Sequence, residues 1–309
     1  MHRFVLHNGE IKDSSECFLS AGQVGLLNGW GVFSTMRVYE GVLFAWERHW
    51  ARMERDARVL RVPFPADSQA LAADLYRLVD ANQAWDATMR VSVVRNRGGL
   101  WEGPGATRDF DVIGFTAEVR SWATEVKLGL VPHARHAANE FAGTKILSWA
   151  ENLARFERAR EQGLDEVILL NERGEVCECT GANIFVVHGN TVRTPPVSSG
   201  CLPGVTRALL LDGISVPELG VREATLLPPD LESADEVLVT STTRGLLPVV
   251  SITGLRISHK GGPAGGRLRS ALSAYMESYV AARRRSIPSA QPAGPSAQPA
   301  GHPAGQGST

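Results

Sequence analysis

The chain has 309 residues, of which 43% are hydrophobic, so it can bury the cores of two medium-sized domains. Its formal net charge of -1 excludes the broad basic surface that binds nucleic acid or an anionic membrane, and the ligand is expected to be a small molecule. No apolar run reaches the roughly 18 residues of a membrane helix, and residues 1–10 lack the apolar core of a signal peptide, which predicts a cytoplasmic protein.

The first part of the chain alternates short strands with two amphipathic helices, which predicts a small α/β domain over residues 1–120. The predicted strands are residues 3–6, 32–39, 42–44, 90–95 and 111–116, and the predicted helices are residues 46–60 and 68–82. A glycine-rich stretch at residues 96–105 is too flexible for a core and is predicted to be a loop over a site.

A linker is predicted at residues 121–125, followed by a larger, strand-rich domain over residues 126–285. Its predicted strands are residues 127–132, 166–170, 175–179, 183–187, 191–193 and 236–240, and a closing helix is predicted at residues 266–285. Residues 286–309 are rich in Pro, Gly, Ala, Ser and Gln, a composition that cannot bury enough apolar surface to fold, so a disordered tail is expected.

Cysteine and lysine are both scarce in this chain. The four cysteines, Cys17, Cys177, Cys179 and Cys201, are too few and too irregularly spaced for a disulfide framework or a zinc knuckle, and buried thiols without a metal are expected. Lysine occurs only at Lys12, Lys127, Lys145 and Lys260. The search for a reactive amine is therefore short.

Lys145 precedes a predicted helix that runs to about Gln162 and ends at Gly163. Ser148 and Glu151 have the spacing of a capping box at its start. A cation just before a helix N-terminus is disfavoured by the helix dipole, which favours the neutral amine that a nucleophile requires. Considered alone, however, a lysine is usually a surface residue.

Three further segments carry groups that a phosphorylated ring cofactor would need. Glu178 ends a predicted strand and could hold a proton on a pyridine nitrogen, although an ordinary hairpin with an exposed glutamate is the alternative. Residues 201–206 form a Gly-containing loop entering a helix, whose free N–H groups and Thr206 hydroxyl could hold a phosphate; a simple helix cap explains the same residues. Thr242 and Thr243 offer more hydroxyl donors, or are solvated turn residues.

The order of these segments is more specific than any one of them. Lysine, then Glu-x-x-x-x-Asn-Ile-Phe from Glu178, Leu-Pro-Gly-Val-Thr-Arg from Leu202 and Thr-Ser-Thr-Thr from Thr240 together resemble the class IV aminotransferase family. Near the N-terminus, residues 28–37 and the His-x-x-Arg of His49 are similar to the family's first-domain motifs. The resemblance spans roughly residues 6–279.

The resemblance implies a role for each matching position. Lys145 would form the Schiff base with pyridoxal 5′-phosphate, and Glu178 would partner its ring nitrogen. The other implied cofactor-binding residues are Arg52, Leu202, Val205, Thr206, Thr242 and Thr243. The implied substrate residues are Phe33, Arg37, Arg90 and Ala182. The family also implies an α+β fold of type IV, with a small N-terminal α/β domain, a larger pseudo-barrel domain and a homodimer.

The sequence indicates the cofactor more clearly than it indicates the reaction. An aminotransferase acting on an amino acid and an α-keto acid is favoured, and an aminodeoxychorismate lyase that releases pyruvate and 4-aminobenzoate is the alternative. The tyrosines typical of branched-chain enzymes are absent, with Thr88 and the pair Trp149 and Ala150 in their places. A cofactor-binding protein without turnover is a remote third interpretation, because both Lys145 and Glu178 are retained.

Overall fold

The computed structural model describes residues 1–17, 19–20, 22–99, 107–257 and 262–284. The predicted tail at residues 286–309 and most of the predicted loop at residues 96–105 lie outside the described residues. The described strands are β1 (Phe4–His7), β2 (Glu10–Asp13), β3 (Gly31–Tyr39), β4 (Val42–Leu43), β5 (Ala87–Arg95), β6 (Phe110–Ala117), β7 (Val126–Val131), β8 (Glu166–Leu170), β9 (Val176–Cys179), β10 (Asn183–His188), β11 (Thr191–Thr194), β12 (Gly220–Glu223), β13 (Glu236–Ser241) and β14 (Gly245–Ile252). The α-helices are α1 (Val24–Asn28), α2 (Trp46–Val59), α3 (Ser68–Asn82), α4 (Ala150–Glu161), α5 (Val205–Ala208), α6 (Pro228–Ser233) and α7 (Ala264–Arg283).

The strands form two sheets that divide the chain in sequence. The first sheet has six antiparallel strands in the order β2-β1-β6-β5-β3-β4, with α2 and α3 packed against it. The second has eight strands in the order β12-β11-β10-β13-β14-β7-β8-β9, and it mixes parallel with antiparallel pairs. Residues 118–125 connect β6 to β7 and so join the two sheets.

Helix α7 ties the end of the described chain to both sheets. Its first half packs against the second sheet, with Leu268 in the same cluster as Leu238. Its last turns reach the first half of the chain, where Tyr279 stacks edge-on against Phe44 and donates a hydrogen bond to Glu47 at 2.7 Å. The two halves are therefore held together by a packed helix as well as by residues 118–125.

Helix α2 carries charged residues on its buried side. Its buried positions include Trp46, His49, Met53 and Ala57, which recur at the three- and four-residue steps of one helix face. Arg52 and Asp56 lie at the same steps and are also buried. This face therefore delivers charged groups to the interior, which is unusual unless they have partners or ligands.

Most elements predicted from the sequence are confirmed to within three residues at each end. Strands β2, β12 and β14 were not predicted. The first two are short and polar, with exposed positions on a sheet edge. Strand β14 contains Pro248, which lowers the strand propensity, yet it lies inside the sheet between β13 and β7.

The predicted capping box at Ser148 and Glu151 is wrong. Helix α4 begins at Ala150, with no side-chain cap at Trp149. The Ser148 hydroxyl instead donates to the Asn28 carbonyl at 3.1 Å, and Glu151 pairs with Arg155 one turn later. A tertiary contact has replaced the local cap because the chain before α4 lies against the first sheet.

The cysteine side chains are mostly buried thiols, as the sequence predicted. All four cysteines are free, and three of them are buried. Within the described ranges, no group of side chains could hold a metal ion, and no helix has the length and hydropathy to cross a bilayer.

Candidate active site

A cavity of about 870 Å³ lies where the two sheets meet, and most of the predicted site residues line it. The cofactor residues predicted from the sequence all border it: Arg52, Lys145, Glu178, Leu202, Val205, Thr206, Thr242 and Thr243. The predicted substrate residues Phe33, Arg90 and Ala182 also border it. Arg37 does not, because β3 carries it beyond the cavity to an ion pair with Asp86 and a contact with the Tyr39 ring. Arg37 thus lies outside this cavity, and its role in substrate binding stays a prediction.

Lys145 lies on an extended segment that pairs with β3. Its carbonyl accepts the Phe33 N–H at 3.1 Å, and Leu147 donates to the Gly31 carbonyl at 2.9 Å. The Lys145 Nζ lies 4.6 Å from the centre of the Phe33 ring and 5.4 Å from that of Trp149. The amine thus lies in the cavity beside two aromatic rings.

The surroundings of Lys145 favour its neutral form. Burial, followed by repulsion from the nearby Arg52 guanidinium, lowers the pKa of Lys145 to about 7, while Glu178 partly opposes this. An amine with this pKa is substantially unprotonated at neutral pH and can act as a nucleophile and as a general base. Burial is the largest cause of the lowered pKa, so this pKa does not require the capped helix end that the sequence predicted.

Glu178 faces the same cavity from β9. One oxygen, Oε2, accepts the Leu202 N–H at 3.0 Å, and Oε1 lies 3.5 Å from Nε of Arg135. Burial raises the pKa of Glu178, and Arg135 and the Leu202 N–H oppose that rise. The carboxylate is held in place at one oxygen, while the other has only a long contact to a cation.

Arg52 belongs to a buried network with Ser34 and His49. Arg52 donates to the Ser34 hydroxyl at 2.7 Å, and the Ser34 oxygen lies 2.7 Å from Nδ1 of His49. Burial lowers the pKa of His49 well below its usual value, so the ring is neutral. Within the described residues, Nε of Arg52 and Nε2 of His49 are buried without a hydrogen-bond partner. The Arg52 Nε is therefore a buried orphan donor, which indicates a site for an anion, whereas Nε2 of the neutral His49 donates or accepts according to its tautomer.

The helix start at Val205 faces the cavity without a side-chain cap. The free N–H groups at a helix start attract anions. Gly204 precedes it, and a Cβ there would lie 2.1 Å from Oδ1 of Asn183, so the close approach requires glycine. Asn183 in turn donates to the Leu202 carbonyl at 2.8 Å and holds this loop against β10.

The outer wall of the cavity carries aromatic and cationic groups. The Arg90 guanidinium lies 3.8 Å from the centre of the Phe33 ring and has no ion-pair partner among the described residues. Farther out, Trp122 is flanked by Arg120 and Arg244. Arg244 is neutralised by the fully buried Glu166 at 2.9 Å. Arg90 thus leaves a positive charge beside Lys145 that a substrate anion could neutralise.

Several of these groups escaped the sequence-based prediction. Contacts between distant segments bring them to the site, and no local sequence pattern marks them. These residues are Arg135, Ser34 and the pair Glu166 and Arg244. Asp56 did carry a signal, since it lies four residues after Arg52 and therefore on the same face of α2.

Comparison with known proteins agrees with this site. The model of the family described as amino-transferase class IV matches residues 31–252. The chain therefore belongs to the class IV aminotransferase family. It is 30% identical over 273 residues to a D-alanine aminotransferase from Bacillus licheniformis, covering 87% of this chain and 95% of the relative. It is 27% identical over 269 residues to an aminodeoxychorismate lyase from Bacillus subtilis, covering 85% and 91%.

A solved relative confirms the predicted α+β, type IV fold of this class IV aminotransferase. The branched-chain amino acid aminotransferase from Escherichia coli superposes with a TM-score of 0.81 at 25% identity, covering 89% of this chain and 95% of that one. Enzymes of this family use pyridoxal phosphate, and another solved branched-chain aminotransferase of the same fold is complexed with N-(5′-phosphopyridoxyl)-L-glutamate. The cavity fits that group, because it offers a partly neutral lysine, a held carboxylate, and an orphan donor near an uncapped helix start.

Proposed function

We propose that this cavity is the active site of a pyridoxal phosphate-dependent aminotransferase in which Lys145 holds the cofactor covalently. The observation that carries the proposal is the position of the Lys145 amine, which lies in the cavity beside the Phe33 and Trp149 rings and faces Glu178. Bound pyridoxal phosphate supplies an electron-withdrawing ring that makes the α-proton of an amino acid acidic.

The side chains around Lys145 divide the remaining tasks. With a pKa of about 7, Lys145 can accept a proton from the α-carbon and return it near neutral pH. Glu178 would hold the proton of the pyridine nitrogen, and Leu202 would lie against the ring. The phosphate would be held by Arg52, by the N–H groups of Val205 and Thr206, and by the hydroxyls of Thr206, Thr242 and Thr243.

Substrate binding would use the groups on the other side of Lys145. Arg90, which stacks on Phe33 and has no ion-pair partner among the described residues, would bind a substrate carboxylate by a charge-assisted pair. Phe33, Ala182 and Trp149 would exclude water around the reacting carbon, which strengthens that pair.

The reaction is tested by offering the purified enzyme several amino donors with an α-keto acid. D-alanine and the L-branched-chain amino acids are the first donors to compare, because relatives of this chain are named for them. Amino transfer that depends on the keto acid is the expected result. Release of pyruvate and 4-aminobenzoate from aminodeoxychorismate, without amino transfer, would instead support the lyase reaction of the Bacillus subtilis relative.

A homodimer in the cytoplasm is part of this proposal. Two large apolar side chains at the cavity mouth, Phe141 and Leu153, are 42% and 50% exposed, and a second subunit would cover them. Light scattering at twice the mass of the chain is the expected result, and a fully active monomer would contradict it.

The role of Arg52 leads to a prediction about cofactor affinity. Arg52→Gln removes a buried charge that has an orphan Nε, so we expect pyridoxal phosphate to bind about 10- to 150-fold more weakly, the usual range for a lost charge-assisted hydrogen bond. Arg48→Gln is the matched control, because Arg48 is on the same helix but pairs with Asp212. Equal dissociation constants for the two variants, measured by titration, would remove Arg52 from the phosphate site.

A further inference from the structure

The lysine-bearing segment is fastened to helix α2 by an ion pair in which the acid, Asp56, is buried and the base, Arg55, is partly exposed. Asp56 is 0% exposed, and its Oδ2 accepts the main-chain N–H of Lys145 at 3.0 Å. Its Oδ1 accepts from Nε of Arg55 at 2.9 Å, and Arg55 also donates to the Gly143 carbonyl at 2.8 Å. Two adjacent side chains of α2 therefore hold both ends of the tripeptide 143–145.

This arrangement gives hydrogen-bond partners to main-chain groups of a partly buried segment. The Lys145 N–H does not donate to β3. The contact with β3 is made by the Lys145 carbonyl, which accepts the Phe33 N–H. The backbone at Gly143 has a φ of 71°, and a Cβ there would lie 2.8 Å from the Cys201 carbonyl, so the segment is also confined from the other side. Loss of the Asp56 acceptor would leave an orphan N–H directly at the reactive residue.

The same carboxylate lies within the group of charges that face the lysine amine. Arg52 and Asp56 face it from α2, Arg90 from β5 and Glu178 from β9, and the neutral His49 lies behind Arg52. Two of these four charged groups are cations that disfavour a protonated lysine. Asp56 is one of the two acids that oppose them.

We propose that Asp56 is a positioning residue for Lys145. The Asp56 carboxylate holds the main chain of Lys145 in place and also supplies negative charge near the lysine amine. The inference rests on the assignment of Lys145 in the proposed function. It goes beyond that assignment because Asp56 does not border the cavity and touches neither cofactor nor substrate.

Two variants of Asp56 separate the hydrogen bond from the charge. Asp56→Asn keeps an oxygen acceptor of the same shape for the Lys145 N–H, but it removes the charge and the second oxygen that accepts from Arg55. Asp56→Ala removes the charge and both oxygens. Glu54→Gln is the matched control, since Glu54 is an exposed carboxylate on the same helix two residues away.

The first measurement is the pH dependence of Lys145 acylation in the full-length, cofactor-free chain, followed by peptide mass spectrometry with Lys127 as the internal reference. Without the Asp56 charge the protonated amine is less stable, so the Lys145 midpoint falls. We expect a fall of about half to one pH unit in both Asp56 variants and no change in Glu54→Gln. An unchanged midpoint in Asp56→Asn would overturn the role of the charge.

The second measurement is hydrogen–deuterium exchange of the peptide that contains Lys145. Exchange at this segment should rise at least tenfold in Asp56→Ala and stay near wild type in Asp56→Asn. Equal protection in all variants would overturn the anchoring role, and a thermal unfolding curve of Asp56→Asn matching wild type would exclude a general loss of packing. Borohydride reduction of the holoenzyme tests Lys145 itself: a cofactor fixed on another lysine would reject the proposed function, while the exchange result would stand.

Discussion

Replacing Lys145 with alanine is expected to abolish both turnover and the covalent attachment of the cofactor. The variant loses the amine that binds pyridoxal phosphate and the group that moves the α-proton. Removal of general acid–base catalysis alone is worth about 10²- to 10⁴-fold in rate, and loss of the covalent link adds to it. The measurements are amino transfer and the position of the cofactor after borohydride reduction, located by peptide mass spectrometry.

Lys127→Ala is the matched control for this variant. Lys127 is exposed on β7, outside the cavity. Its described hydrogen bonds are made by the main chain, whose N–H donates to the Asp165 carboxylate at 2.9 Å and whose carbonyl accepts the Asp165 N–H at 2.8 Å. It should keep wild-type activity and the adduct on Lys145. An adduct that persists in Lys145→Ala, or one found on Lys127 in wild type, would show that the active amine has been assigned to the wrong residue.

Replacing Glu178 with glutamine is expected to slow proton abstraction about 10²- to 10³-fold while leaving cofactor binding largely intact. The amide keeps the shape but removes the charge that stabilises a proton on the pyridine nitrogen. Arg135 then loses its anionic partner 3.5 Å away, and the local charge shifts further against a protonated ring. The proposed phosphate ligands Arg52, Thr206 and Thr242 are unchanged in this variant. Single-turnover conversion with saturating amino donor measures the step directly.

Glu175→Gln serves as the control for Glu178. Glu175 lies three residues earlier, pairs with Arg173 at 2.7 Å in the turn before β9, and does not border the cavity. Its glutamine variant should convert donor at the wild-type rate. If Glu178→Gln reacted within about threefold of wild type, the ring-nitrogen role would pass to another acid, and Glu178 would merely anchor the Leu202 loop.

The site was predictable from the sequence where function requires a particular residue type within a short segment. Lys145, Glu178 and the Leu-Pro-Gly-Val-Thr loop are of this kind, and all border the cavity. Arg37 lies outside the cavity, and the sequence could not show this because strand alternation predicts the face of a side chain but not where along the strand the cavity ends. The predicted helix cap at Ser148 is wrong because the Ser148 hydroxyl donates to the Asn28 carbonyl, a tertiary acceptor that a local sequence pattern does not indicate.

By itself, the sequence determined the long helices and most strands, through hydrophobic periodicity, and it predicted Lys145 as the reactive amine, through the scarcity of lysine and the order of the motifs. Only the tertiary structure decided the electrostatics around that amine. The interactions that set these electrostatics join residues far apart in the chain. They are the burial of the amine by Phe33 and Trp149, the repulsion from Arg52, the Arg135 contact with Glu178 and the anchoring of Lys145 by Asp56. Charges act through distance and dielectric, and both are properties of the folded chain that a linear pattern does not contain.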